Sequence, residues 1–184
     1  MSSPNGLSAK PIRIAILGAG VVASGVVKVL QRNQAEIQRR AGRRIEIAAV
    51  AARDADKARR ALGDHVEITS DFDALVVRSD IDIVVELIGG TTRAKDLTLA
   101  AIRAGKHVVT ANKALLAVLG NQVFEAASER DTMVAFEAAV AGGVPIIKAL
   151  REGLTANRIE WVAGIINGTT NFILSEMRAK GSDF

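Results

Sequence analysis

Two groups of residues in this chain have the types and spacing for chemistry: glycines that could bring backbone up to an anion, and cations placed to meet a negative charge. Gly18-Ala19-Gly20-Val21-Val22-Ala23 fits G-x-G-x-x-A and stands between an apolar run, Ile12–Leu17, and a helical pattern. In that setting the first glycine permits a tight turn and the second lets backbone approach a pyrophosphate. A small third residue lets the helix pack on the strand. The helix N-terminus adds free N–H groups for phosphate. Gly18, Ala19, Gly20, Val21 and Val22 are therefore candidate dinucleotide contacts. The hexapeptide alone is weak evidence, and a ligand-free glycine turn is the alternative; its place in an alternating chain gives it weight.

The next apolar run ends as Val50-Ala51-Ala52-Arg53-Asp54. An NAD site usually places an acid here for the ribose hydroxyls. Arg53 in its place, with Lys57 one helical turn on, suits a 2′-phosphate. NADP(H) is the cofactor this pattern favours, with NAD(H) open. Asp54 has two readings, a ribose contact or a helix N-cap. Gly89, Thr91 and Thr92, after the fourth apolar run, read either as cofactor contacts or as a plain turn capped by Thr91 or Thr92. Glu86 reads as an acceptor that anchors this loop. Lys113 ends the polar break Thr110-Ala-Asn-Lys113. At the mouth of a parallel sheet it could reach a carbonyl or a cofactor; on a helix flank it would be a solvated charge. His65 and His107 stand apart in sequence and read as local structural residues.

Apolar runs at 12–17, 45–50, 65–68, 81–86, 107–109 and 132–136 alternate with helical patterns at 21–40, 54–62, after Asp71, 92–104 and 113–130. Strands this apolar, separated by helices, predict a parallel sheet covered on both faces. The expected fold over 11–136 is α/β, a Rossmann-type doubly wound sheet. After Phe136 the pattern changes to a small-residue loop, a helix opened by Pro145, a β-branched stretch at 157–166 with Trp161 inside it, and a helix at 168–180. Residues 137–184 are expected to be the incomplete start of an α+β catalytic and dimerisation domain, and residues 1–10 a flexible tail.

The 184 residues carry a net charge of +4, 3% aromatics and no cysteine. The missing cysteines exclude disulfides and thiolate metal sites and suit a cytoplasmic protein. Basic residues gather at Arg39, Arg40, Arg43 and Arg44, yet with few aromatics to stack on bases no nucleic-acid partner is expected. No apolar run approaches the roughly 20 residues of a membrane span, and the first ten residues lack a secretory apolar core. No membrane partner is expected either.

Taken together, Gly18-Ala-Gly-Val-Val22, Glu86-Leu-Ile-Gly-Gly90, Ala104-Gly-Lys-His-Val-Val-Thr-Ala-Asn-Lys113, Phe136-Glu-Ala-Ala-Val-Ala-Gly-Gly-Val-Pro145 and Gly164-Ile-Ile-Asn-Gly-Thr-Thr-Asn-Phe172 resemble, in order, the motifs of homoserine dehydrogenases. The resemblance runs from Ile12 through nearly the whole chain. It implies NAD(P)-dependent interconversion of L-aspartate 4-semialdehyde and L-homoserine, on the route to threonine and methionine. It further implies that Lys113 serves cofactor contact and proton transfer. Glu137, Val140, Gly142 and Val144 would hold a monovalent cation such as Na+, mostly through carbonyls, and Gly168 and Thr169 would lie near the small-molecule substrate. Ala23 stands where many members have glycine. The family's acidic substrate ligands and second catalytic lysine would lie beyond Phe184, so the resemblance implies an N-terminal portion without appreciable turnover, from a parent that forms a homodimer. A non-catalytic dinucleotide-binding module is the alternative.

Overall fold

The computed structural model describes residues 10–165, 167–181 and 183. All but the last residue of the expected N-terminal tail lies outside them. Six strands, β1 Ile12–Leu17, β2 Ile45–Ala51, β3 Ile68–Thr69, β4 Ile83–Glu86, β5 His107–Thr110 and β6 Val134–Ala135, form one sheet in the order β3-β2-β1-β4-β5-β6. Every pair is parallel. The order reverses between β1 and β4, as a doubly wound dinucleotide-binding sheet requires. The α/β expectation holds.

Helices α1 Val21–Arg32, α2 Gln34–Ala41, α3 Ala55–Leu62, α4 Phe72–Val77, α5 Arg93–Arg103 and α6 Lys113–Glu129 connect the strands. Side-chain alternation along β1 shows how both faces fill. Ile14 and Ile16 pack with Ala23 and Val27 of α1 and Leu62 of α3. Ala15 and Leu17 pack with Leu75, Leu97, Ala101 and Ile102 of the opposite layer. Ile16 and Leu17 are completely buried, and each such side chain contributes about 1.5–3 kcal/mol by leaving water. The strand ends that carry the polar loops are held by this core.

Local chemistry shifts several boundaries. The single helix predicted over 21–40 is broken at Asn33, which sits at φ −107° and ψ 19° and is both C-cap of α1 and N-cap of α2; asparagine readily leaves helical geometry. The strand predicted at 65–68 is confined to Ile68–Thr69 because the chain turns at Gly63, φ +84°. The β6 segment starts late, since Asp131 takes a left-handed φ of 51°.

At the amino end of the sheet, Asp80 accepts hydrogen bonds from Arg78 Nε and Nη2 and from Arg13 Nη2, each at 2.9 Å. Arg78, and after it Arg13, hold the Asp80 carboxyl well below the usual carboxylate range.

Beyond β6 the chain forms a 3-10 turn, Glu137–Ala139, then α7, Ile146–Lys148, which runs into π-helical Ala149–Gly153, and finally α8, Gly168–Lys180. The strand predicted at 157–166 is absent from 157–165, and Ile166 lies outside the described residues. A strand needs a hydrogen-bonded neighbour; here residues 157–165 are all exposed, Trp161 included. Among the described residues no helix is long and apolar enough to cross a membrane.

Candidate functional site

The loops that follow β1, β2, β3 and β4 meet at the carboxyl end of the sheet around a cleft of about 630 Å³. Gly18, Ala19 and Gly20 form one wall; Ala52, Arg53, Asp54 and Lys57 form another; Leu87, Ile88, Gly89 and Arg93 form a third. A second hollow of about 660 Å³ lies against α1 alone, lined by Gly25, Lys28, Val29, Gln31 and Arg32. It has no strand end and no converging loops, so the cleft at the topological switch is the candidate site.

Gly18 has φ +101°, and a Cβ there would stand 3.0 Å from the Leu87 carbonyl oxygen. The glycine turn and the loop after β4 thus press together, and no side chain fits between them. Gly20 is the N-cap of α1 and has open space where a Cβ would point, the geometry that lets a ligand approach backbone. Val21 and Val22, in the first turn of α1, are exposed but are not among the lining residues.

Arg53 and Lys57 are both exposed on the β2 side of the cleft. Asp54 between them accepts the Lys57 backbone N–H at 2.8 Å. The cap reading of Asp54 is therefore the one the geometry shows. Four lining residues escape sequence reasoning: Ala58, Ser70, Phe72 and Arg93. Arg93 is ion-paired with Asp73 of α4, and that pairing lowers the Asp73 carboxyl below its ordinary range. The rule that ligands gather at carboxyl strand ends points to Ser70 and Phe72, since they follow β3; nothing local in the sequence marks them.

The opposite side of the site is a buried polar network. Glu86, with no exposed surface, pairs in register with Thr110 across β4 and β5. Its Oε1 accepts from the backbone N–H groups of Ile88 at 2.9 Å and Gly89 at 3.1 Å, and its Oε2 accepts from Thr110 Oγ1 at 2.7 Å. Thr110 Oγ1 in turn accepts from Asn112 N at 3.0 Å. Asn112 Oδ1 caps α6 through Leu115 N at 3.1 Å, and its Nδ2 donates to the Gly90 carbonyl at 2.7 Å. Glu86 is thus the loop anchor the sequence suggests. Lys113 follows as the first residue of α6 and is exposed. Thr92 is the N-cap of α5 without a side-chain cap bond and lies off the cleft lining. Thr91 is half-buried and also lies off the lining.

A family model described as homoserine dehydrogenase, NAD binding domain, matches residues 18–137, and a second, described as homoserine dehydrogenase, matches residues 145–184. The chain belongs to the homoserine dehydrogenase family. It is 58% identical to the homoserine dehydrogenase of Pseudomonas aeruginosa and 56% identical to that of Neisseria gonorrhoeae, in each case over 95% of this chain and 40% of the relative. The solved structure of a homoserine dehydrogenase from Thiobacillus denitrificans superposes with a TM-score of 0.89 at 59% identity, over 94% of this chain and 40% of that one. The chain therefore spans about 40% of the length of these relatives. Its nucleotide cleft lies within the part that matches the family's NAD-binding domain.

The remaining positions of this homoserine dehydrogenase family member divide into two groups. Glu137 caps α7, its two carboxylate oxygens accepting from Ile147 N and Lys148 N at 2.9 Å each. In the loop that follows, the Val144 carbonyl accepts from Ile146 N. Among the described residues the carbonyls of Val140 and Gly142 accept no backbone hydrogen bond, which leaves two hard oxygen donors in the loop between Glu137 and α7. Gly168 and Thr169 open α8, capped by Asn167 Oδ1 through Thr170 N at 3.0 Å. Both are exposed, and neither lines the cleft. Asn171 Nδ2 donates to the Asn167 carbonyl at 2.8 Å, so both asparagines act as local anchors.

Proposed function

We propose that this chain carries the cofactor-binding part of a homoserine dehydrogenase, which interconverts L-aspartate 4-semialdehyde and L-homoserine with NADP(H) in threonine and methionine biosynthesis. The observation that carries this reading is the cleft itself, a glycine turn at the sheet's switch point facing two exposed cations. Gly20 and the first turn of α1 would receive the pyrophosphate, and Arg53 with Lys57 the 2′-phosphate. NADP(H) is favoured over NAD(H) because the ribose-side acid is replaced by Arg53, while Asp54 is committed to its cap.

A nicotinamide dinucleotide held by the glycine turn, Arg53 and Lys57 would supply or accept the hydride. The Lys113 ammonium, at the start of α6 beyond β5, would stabilise or protonate the oxygen on which charge develops. Glu137 with the carbonyls of Val140, Gly142 and Val144 would hold a monovalent cation such as Na+. The two unengaged carbonyls and the carboxylate suit a hard cation, although Glu137 and Val144 then serve the helix cap and the turn as well. Gly168 and Thr169 would hold the substrate's amino-acid end. A cytoplasmic homodimer is the working form in this reading.

Because Lys113, Gly168 and Thr169 all lie off the cleft lining, the chain is expected to bind dinucleotide without appreciable turnover. An assay with aspartate semialdehyde and NADPH tests this. Saturable NADPH binding without turnover supports the reading; turnover at the rate of a full-length relative contradicts it.

A further inference from the structure

The ring of hydrogen bonds through Glu86, Thr110 and Asn112 does something that neither the glycine turn nor the exposed cations do. It ties two separate loops together at the sheet edge. One loop, 87–90, lines the cleft; the other, 110–112, sets the start of α6 and hence Lys113. Gly89 and Gly90 both take positive φ, 74° and 75°, so this loop has little conformational preference of its own and depends on outside bonds for its path. Glu86 Oε1 supplies two of these bonds and Asn112 a third, at Gly90. The carboxylate and the amide are joined by one hydroxyl, Thr110 Oγ1, which donates to Glu86 and accepts from Asn112 N. Every group in the ring is satisfied, and Glu86, Thr110 and Asn112 are all buried.

We propose that Glu86, acting through Thr110 and Asn112, is a positioning residue that holds the 88–90 loop and the start of α6 in the mutual arrangement that the nicotinamide half of a dinucleotide requires. The inference rests on the dinucleotide reading above. In a doubly wound sheet the cofactor crosses the switch between β1 and β4. With the 2′-phosphate at Arg53 and Lys57 over β2, the nicotinamide half extends over β4 and β5, where the ring lies. Leu87 is fixed independently, its N–H donating to the Leu17 carbonyl at 2.9 Å. The adenosine side of the cleft therefore keeps its wall when the ring is opened.

Titrations of the chain with NADPH and, separately, with 2′,5′-ADP, which carries the adenosine half and the 2′-phosphate alone, distinguish the two sides. Glu86→Gln places an amide nitrogen where an acceptor is needed, and Thr110→Val removes the shared hydroxyl without changing the strand. Both are expected to weaken NADPH about tenfold or more, because buried donors lose their partner, and to leave 2′,5′-ADP within about twofold, as the separate anchoring of Leu87 requires. Thr110→Ser, which restores the hydroxyl, is expected to restore NADPH affinity. Urea midpoints for each variant show whether the fold is retained; if Glu86→Gln fails to fold, the Thr110 pair carries the test. Equal weakening of both ligands, no weakening of either, or no rescue by serine would overturn the positioning role. Failure of the unaltered chain to bind either ligand would instead overturn the dinucleotide reading.

Discussion

On the β2 side of the cleft, Arg53 and Lys57 stand exposed at a strand tip and in the first turn of α3. On the β4–β5 side, Glu86, Thr110 and Asn112 are buried and bonded in a ring. The difference separates two tasks within one site. Exposed cations select by charge and contribute little to folding, because solvent and salt screen them. A buried network fixes geometry, and its members cannot be removed without leaving unpaired groups. Substitutions on the first side should change which dinucleotide binds, and those on the second should change stability and alignment together.

The largest effect should come from breaking the buried side outright. Glu86→Ala leaves three donors without their acceptor, and urea denaturation should show a loss of about 3 kcal/mol or more. A loss under about 1 kcal/mol would mean that solvent replaces the carboxylate and that the ring is not a structural unit. On the exposed side, Arg53→Ala should lower NADPH affinity about tenfold while leaving NADH affinity and the unfolding midpoint unchanged, since a charge-assisted bond to phosphate is lost and nothing buried is disturbed. An equal loss for NADH would place Arg53 on the pyrophosphate instead.

Asp80 sharpens the comparison from the far end of the sheet, being paired yet 39% exposed at its side chain. Its depressed pKa stabilises the fold above the unfolded carboxylate pKa of about 3.9, and that contribution disappears as pH falls toward the lower folded value. Asp80→Asn should therefore cost about 1 kcal/mol at neutral pH, after allowance for solvent screening. The deficit should shrink below about pH 4 and in high salt. A pH-independent deficit would trace the loss to packing. The smallest effect is at the cap: Asp54→Ala should cost about 0.5–1 kcal/mol of stability with no change in NADH affinity. A fall in NADH affinity would restore the ribose contact that the cap geometry argues against.

The nucleotide-binding half was largely legible because its signals are local and periodic. The apolar runs, the glycine turn and the caps at Asp54 and at Asp71, whose carboxylate accepts from Ala74 N at 2.9 Å, each follow from nearest neighbours in sequence, and the parallel sheet follows from alternation. Boundaries failed where a single residue overrode a pattern, as at Asn33, Gly63 and Asp131. Within the site, Glu86 and Asn112 could be read as polar residues at strand ends. Their joining through Thr110 depends on β4 and β5 being neighbours, a fact of topology. Phe72 and Arg93 reach the cleft for the same reason. The strand expected at 157–166 failed over its described part, 157–165, for a different cause: β-branched composition supplies propensity, but only a paired neighbour makes a strand.

The central claim, that the cleft takes a dinucleotide with its 2′-phosphate at Arg53 and Lys57, is tested most directly by titrating the unaltered chain with NADPH and NADH at low and high salt. The account predicts saturable binding of both, with NADPH about tenfold tighter at low salt and the gap narrowing as salt screens the phosphate contact. Equal affinities at low salt, or no saturable binding of either, would contradict it.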